Sequence, residues 1–73
     1  MIPSPAQCRA ARAMLDVSQE WLAKRSGLSK RALANFEGGK TKPIPNNLAA
    51  IRQALEQAGV EFTGDGGVRL RNA

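Results

Sequence analysis

Histidine and tyrosine are absent from this 73-residue sequence, and a single cysteine, Cys8, is present. Without a second thiol no internal disulfide forms, and one Cys without His does not build a zinc site. Cys8 also has no His to activate it, so the usual parts of nucleophilic and acid–base catalysis are missing. No apolar run approaches the ~20 residues that a membrane-spanning helix needs. Met1-Ile2-Pro3-Ser4-Pro5 lacks the basic start and apolar stretch of a secretory signal. No enzymatic activity, cofactor or membrane partner is therefore expected, and a lone thiol suits a reducing cytoplasm. Aromatics are scarce too, one Trp and two Phe. A domain of this length draws only ~3–5 kcal/mol from its core, so a partner chain would help to hold it together.

Acidic residues are the other shortage: six Asp and Glu face eleven Lys and Arg, a net charge of +5. The excess is confined to residues 1–45, where Arg9, Arg12, Lys24, Arg25, Lys30, Arg31, Lys40 and Lys42 outnumber Asp16, Glu20 and Glu37. In residues 46–73, Arg52, Arg69 and Arg71 are balanced by Glu56, Glu61 and Asp65. Such asymmetry points to a polyanion-binding half and a neutral half with a different task.

Helix signals follow one another closely. Ser4-Pro5-Ala6-Gln7 reads as a capping box with proline at the first helical position. It predicts a helix over 5–14 with Cys8, Ala11, Met14 and Leu15 facing inward. After a short joint at Asp16-Val17, Ser18 caps a second helix that runs to about Arg25, turning Leu22 and Ala23 inward, and Gly27 suits a left-handed stop. Ser29 caps a third helix over 30–37, with Ala32, Leu33 and Phe36 as its inner stripe and Lys30, Arg31, Ala34 and Asn35 facing outward. Gly38-Gly39 ends it. Lys40 to Pro45 reads as an extended basic loop, and 46–58 as a fourth helix with Leu48, Ile51, Leu55 and Ala58 on one face. Val60-Glu61-Phe62 and Val68-Arg69-Leu70 alternate around the turn-forming 63–67, which predicts a β-hairpin. Residues 71–73 are expected to fray.

Two short helices joined by a glycine-containing turn, the second displaying basic and amide groups, describe a helix-turn-helix. The pattern Ser18-Gln19-x-x-Leu22-Ala23-x-x-x-Gly27-Leu28-Ser29-x-x-x-Leu33-x-x-Phe36-Glu37-x-Gly39 resembles the phage-repressor/Cro type, often called the Xre family. The resemblance extends through the Lys40–Pro45 loop and Leu48-x-x-Ile51-x-x-x-Leu55, about residues 7–59. It implies an all-α, four-helix, lambda-repressor-like domain over 1–59, here followed by a small β tail at 60–73. The neutral tail and fourth helix are the candidate dimerisation element.

The resemblance also implies a site. The third helix would lie in the major groove with Lys30, Arg31 and Asn35 at the base edges. Arg suits guanine, Asn suits adenine, and Lys suits guanine or a phosphate. Gln19 matches the family's phosphate clamp at the start of the second helix, and Lys40, Thr41 and Lys42 its second clamp. Arg12 and Glu37 match an ion pair that ties the first helix to the end of the third. Gly38 departs from a residue often polar in the family, leaving only a backbone N–H for a phosphate. Trp21 stands where the family is usually polar.

The expected function is a sequence-specific, double-stranded DNA-binding transcriptional regulator, acting as a homodimer on a roughly palindromic site. It would be cytoplasmic and nucleoid-associated, without a small-molecule effector. RNA polymerase, through Glu20, or another regulatory protein is a further expected partner. The competing expectation is a protein-binding adaptor that uses the helix-turn-helix surface with Trp21 as its anchor.

Overall fold

The computed structural model describes residues 2–71. Four helices, α1 (Pro5–Leu15), α2 (Gln19–Ser26), α3 (Lys30–Glu37) and α4 (Pro45–Gln57), are followed by strands β1 (Val60–Phe62) and β2 (Val68–Leu70). Three of the four helices start at a serine whose hydroxyl accepts from a first-turn amide: Ser4 from Gln7, Ser18 from Trp21 and Ser29 from Ala32. At the start of α1 the Gln7 side chain returns the favour to the Ser4 N–H, completing the capping box. α4 has Ile44 at its cap, with no side-chain capping bond, and Pro45 in its first turn. Between α1 and α2 the chain turns through Asp16 in the left-handed region, and between α2 and α3 through Gly27 at φ +75°.

One core serves all these elements. Cys8 and Ala11 from α1, Leu22 and Ala23 from α2, and Leu33 and Phe36 from α3 pack with Ile51, Ala54 and Leu55 from α4 and Val60 from β1. α2 packs on α3 and α4, while α1 packs on α3 and on the hairpin. The hairpin is antiparallel, with Val60 opposite Leu70, Glu61 opposite Arg69 and Phe62 opposite Val68. Gln7 fastens α1 to it: the buried side-chain amide donates to the Gly67 carbonyl at 3.1 Å.

Several sequence expectations need correction. The inner face of α3 is Leu33, Phe36 and Glu37, not Ala32, which is exposed. Residues 33, 36 and 37 follow the i, i+3, i+4 repeat of a single face, and a charged residue occupies the third place because it is fully partnered there. Asn35 and Ala34 are half-buried rather than fully outward. Met14 is 45% exposed. It shares a face with Gln7, seven residues earlier, but the hairpin meets that face at the Gln7 end. α4 starts and ends one residue earlier than expected, so Ala58 is an exposed cap and Ala54 takes its place inside. α1 and α2 each run one residue further, to Leu15 and Ser26. Arg71 does not fray: its N–H donates to the Gly59 carbonyl at 2.7 Å and its guanidinium to the Glu56 carbonyl. Residues 72 and 73 lie outside the described residues.

Candidate nucleic-acid interface

Beside its buried face, α3 carries the exposed Lys30 and Arg31 and the half-buried Asn35. Arg31 and Asn35 are four residues apart and so stand one above the other on the same face. Lys30 and Arg31 are exposed and occupy the first turn, where no acidic residue is present. Cations at a helix N-terminus oppose the macrodipole. Neither takes part in the three ion pairs found among the described residues, Arg12–Glu37, Arg52–Glu56 and Arg69–Glu61. Lys24, Arg25, Lys40 and Lys42 are also exposed and outside those pairs. Six cations of the first 45 residues, Lys24, Arg25, Lys30, Arg31, Lys40 and Lys42, are therefore in none of the ion pairs among the described residues.

The other end of α3 is fastened to the scaffold. Glu37 is only 2% exposed, and its carboxylate receives both arms of the Arg12 guanidinium, Nε to Oε2 and Nη2 to Oε1, each at 2.7 Å. Gln19 Nε2 donates to Oε1 at 2.9 Å and Cys8 Sγ to Oε2 at 3.1 Å. Arg12 also reaches the Val17 carbonyl at 3.2 Å. Arg9 donates to the main-chain carbonyl of Glu37. Helix α1, the start of α2 and the end of α3 thus meet on one residue, and no buried side-chain polar atom among the described residues is left without a partner.

The electrostatics follow from this cage. Burial alone would raise the Glu37 carboxyl, but the hydrogen bonds from Arg12, Gln19 and Cys8 outweigh it and hold the group below the usual glutamate range. The bond to Glu37 pushes Arg12 upward. Burial, then the hydrogen bond to Glu37 and its negative charge, raises the Cys8 thiol far above its ordinary value, so it stays protonated and donates.

The structure brings Arg12, Gln19 and Glu37 into contact and leaves Lys40, Thr41 and Lys42 exposed on the segment after α3. That segment is set by Gly39 at φ +77° and by the Lys40 N–H, which donates to the Asn35 carbonyl at 2.9 Å. Gln19 spends one side-chain N–H on Glu37, which leaves its second amide N–H outside that bond. Cys8 faces inward as its spacing predicts, but it also bonds the Glu37 carboxylate. Its place four residues before Arg12 was the available signal, because i and i+4 share a helix face. Trp21 is half-buried against the core, with the Arg25 guanidinium over its ring at 4.8 Å from the centroid. Among the described residues no group of acidic, His and Cys side chains is placed to hold a metal ion, and no helix is long and apolar enough to cross a membrane.

A family model described as helix-turn-helix matches residues 9–60. The chain belongs to this helix-turn-helix family, of the Cro/C1 phage-repressor type. Family and fold are those of DNA-binding transcription regulators rather than enzymes. Among solved structures, the chain is similar to the DNA-binding domain of the P22 c2 repressor, with 34% identity and a TM-score of 0.69 over 73% of this chain and 70% of that one. No curated protein gives a significant match. In this helix-turn-helix, α2 and α3 are the paired helices and Gly27 is the turn between them.

Proposed function

We propose that this chain is a sequence-specific regulator of transcription that lays α3 in the major groove of double-stranded DNA and acts as a homodimer on a roughly palindromic site. The observation that carries this reading is the display of Lys30, Arg31 and Asn35 on a helix whose far end is locked by the Glu37 cage. Preorganised side chains lose less freedom on binding. Arg31 takes guanine O6 and N7, Asn35 takes adenine N6 and N7, and Lys30 takes guanine or a phosphate. Gln19 with the α2 N-terminus holds one phosphate, and Lys40, Thr41 and Lys42 hold the backbone beyond α3. The protein works in the cytoplasm on the nucleoid, responds to no small-molecule effector, and has RNA polymerase or another regulatory protein as a further partner.

Two copies would read half-sites about one helical turn apart, ~34–36 Å. The neutral α4 and hairpin are the proposed contact between copies. Leu70 lies opposite the buried Val60 in the hairpin yet is 41% exposed, so it is the large exposed apolar group of the hairpin among the described residues. Leu70→Lys should shift the dimer toward monomer in sedimentation; an unchanged dimer would move the interface elsewhere. Truncation after Gly59 is a poor probe, because it removes Val60 from the core.

Selection from a random-sequence duplex pool at two salt concentrations tests the reading. A two-fold symmetric motif supports a dimeric reader, and Arg31→Ala should relax preference at one base pair per half-site while Lys40→Ala weakens all sequences alike. Retention without a motif would limit the protein to non-specific binding. Loss of all retention at low salt would turn attention to an acidic protein partner at Trp21.

A further inference from the structure

Arg9 is exposed on α1 and belongs to none of the ion pairs among the described residues. Its guanidinium is nevertheless held in place, because Nη1 donates to the main-chain carbonyl of Glu37, the last residue of α3. The carboxylate of that residue is already taken by Arg12, Gln19 and Cys8. A carbonyl is a neutral acceptor, so the bond fixes Arg9 without cancelling its charge. Within the cage Arg12 and Glu37 neutralise each other, and Arg9, bonded to the Glu37 carbonyl, adds a positive charge beside them. A guanidinium carries five N–H donors in a rigid fork, and one of them is spent on Glu37.

Gln19 and Arg9 are thus tethered to the same residue, one to its carboxylate and one to its carbonyl. Lys40 leaves the end of α3 three residues later, its N–H fastened to Asn35. We infer that Arg9 is a further phosphate-contacting residue, completing a backbone clamp with Gln19 and Lys40 at the end of α3. This inference rests on the DNA-binding reading above. The charge is carried to the nucleic acid by α1, outside the helix-turn-helix proper, and it is oriented by α3. Any shift of α3 in the groove would therefore move this phosphate contact with it.

The test compares the intact wild-type chain with Arg9→Gln and the charge-keeping Arg9→Lys in binding to a random-sequence duplex pool over ~50–200 mM salt. Each neutralised phosphate contributes about 0.9 to the slope of log K against log salt. Arg9→Gln should make the slope shallower by about that amount and weaken all sequences alike, while Arg9→Lys keeps the wild-type slope. Thermal melting of the free variants verifies that each is folded at the binding temperature. Weaker binding by Arg9→Gln with an unchanged slope would overturn the inference, because Arg9 would then act only by steadying α3. An unchanged affinity and slope would overturn it as well. Failure of the wild-type chain itself to bind would overturn the DNA-binding reading and this inference together.

Discussion

Replacing Arg12 with Met should nearly abolish the stability of the free domain. Glu37 is 2% exposed, and Arg12 supplies two of the bonds to its carboxylate and, among the described residues, its one ion-pair partner. Removing one partner of a buried pair strands the other charge and costs about 3–5 kcal/mol. That is as much as the ~3–5 kcal/mol a core of this size provides. At about 4–8 °C per kcal/mol for a domain of this length, the melting temperature should fall by tens of degrees. Glu37→Gln should cost less, about 1–3 kcal/mol, because Arg12 is 19% exposed and reaches water when its partner is gone. The double replacement Arg12→Met with Glu37→Met should recover most of the loss, since an apolar pair carries no desolvation penalty.

The pH dependence gives a second reading of the same perturbation. In the wild-type protein the Glu37 carboxyl is held below its ordinary value. Its contribution is therefore complete above the unfolded value of about 4.3 and is lost as pH falls through the folded one. In Arg12→Met burial dominates and raises the group. The variant should then regain stability relative to wild type as pH falls toward about 4.3, the opposite slope. Urea titrations followed by circular dichroism at pH 7 and pH 5 measure both. A cost under about 1 kcal/mol at pH 7, or parallel pH profiles, would refute the argument.

Three further outcomes follow from local features. Gly27→Ala should cost about 1–2 kcal/mol in chemical denaturation, because Gly27 sits at φ +75° where an L-residue is disfavoured; its Cβ would meet nothing within 4 Å, so the cost is conformational rather than steric. Ser29→Ala should cost about 1 kcal/mol by removing the cap of α3, with faster amide exchange in the first turn of that helix as its local sign. Cys8 should resist alkylation in the folded protein, since it is buried and its thiol is pushed strongly toward the protonated form; labelling that keeps pace with a free thiol under native conditions would contradict this.

The elements were legible where local chemistry decides them. Serine caps at 4, 18 and 29, Pro5 at the start of α1, and Gly27 at the turn are signals within a few residues of the structure they set, whereas Pro45, read as the end of a loop, is the first residue of α4. The hairpin was legible from its alternation and its turn-rich loop. Facing was harder wherever a charged residue lies inside. A stripe drawn through apolar residues includes Ala32 and omits Glu37, because the partners that make Glu37 burial tolerable come from α1 and α2, about 18–29 residues away in sequence. The Arg12–Glu37 contact was accessible through family resemblance, whereas the roles of Cys8, Arg9 and Gln7 depend on tertiary placement. Gln7 in particular has two jobs, capping α1 and bonding Gly67 sixty residues on, and only the first has a local signature.

The central claim is that α3 reads duplex DNA with its exposed face. Its most direct test is a titration of the 15N-labelled chain with duplex DNA carrying a selected site, followed by amide chemical shifts. The account predicts changes concentrated at Gln19, at Ser29 to Asn35 and at Lys40 to Lys42, with Arg52 and Glu61 unaffected. Changes centred on Trp21 and Arg25, or on α4 and the hairpin, with α3 silent, would contradict it.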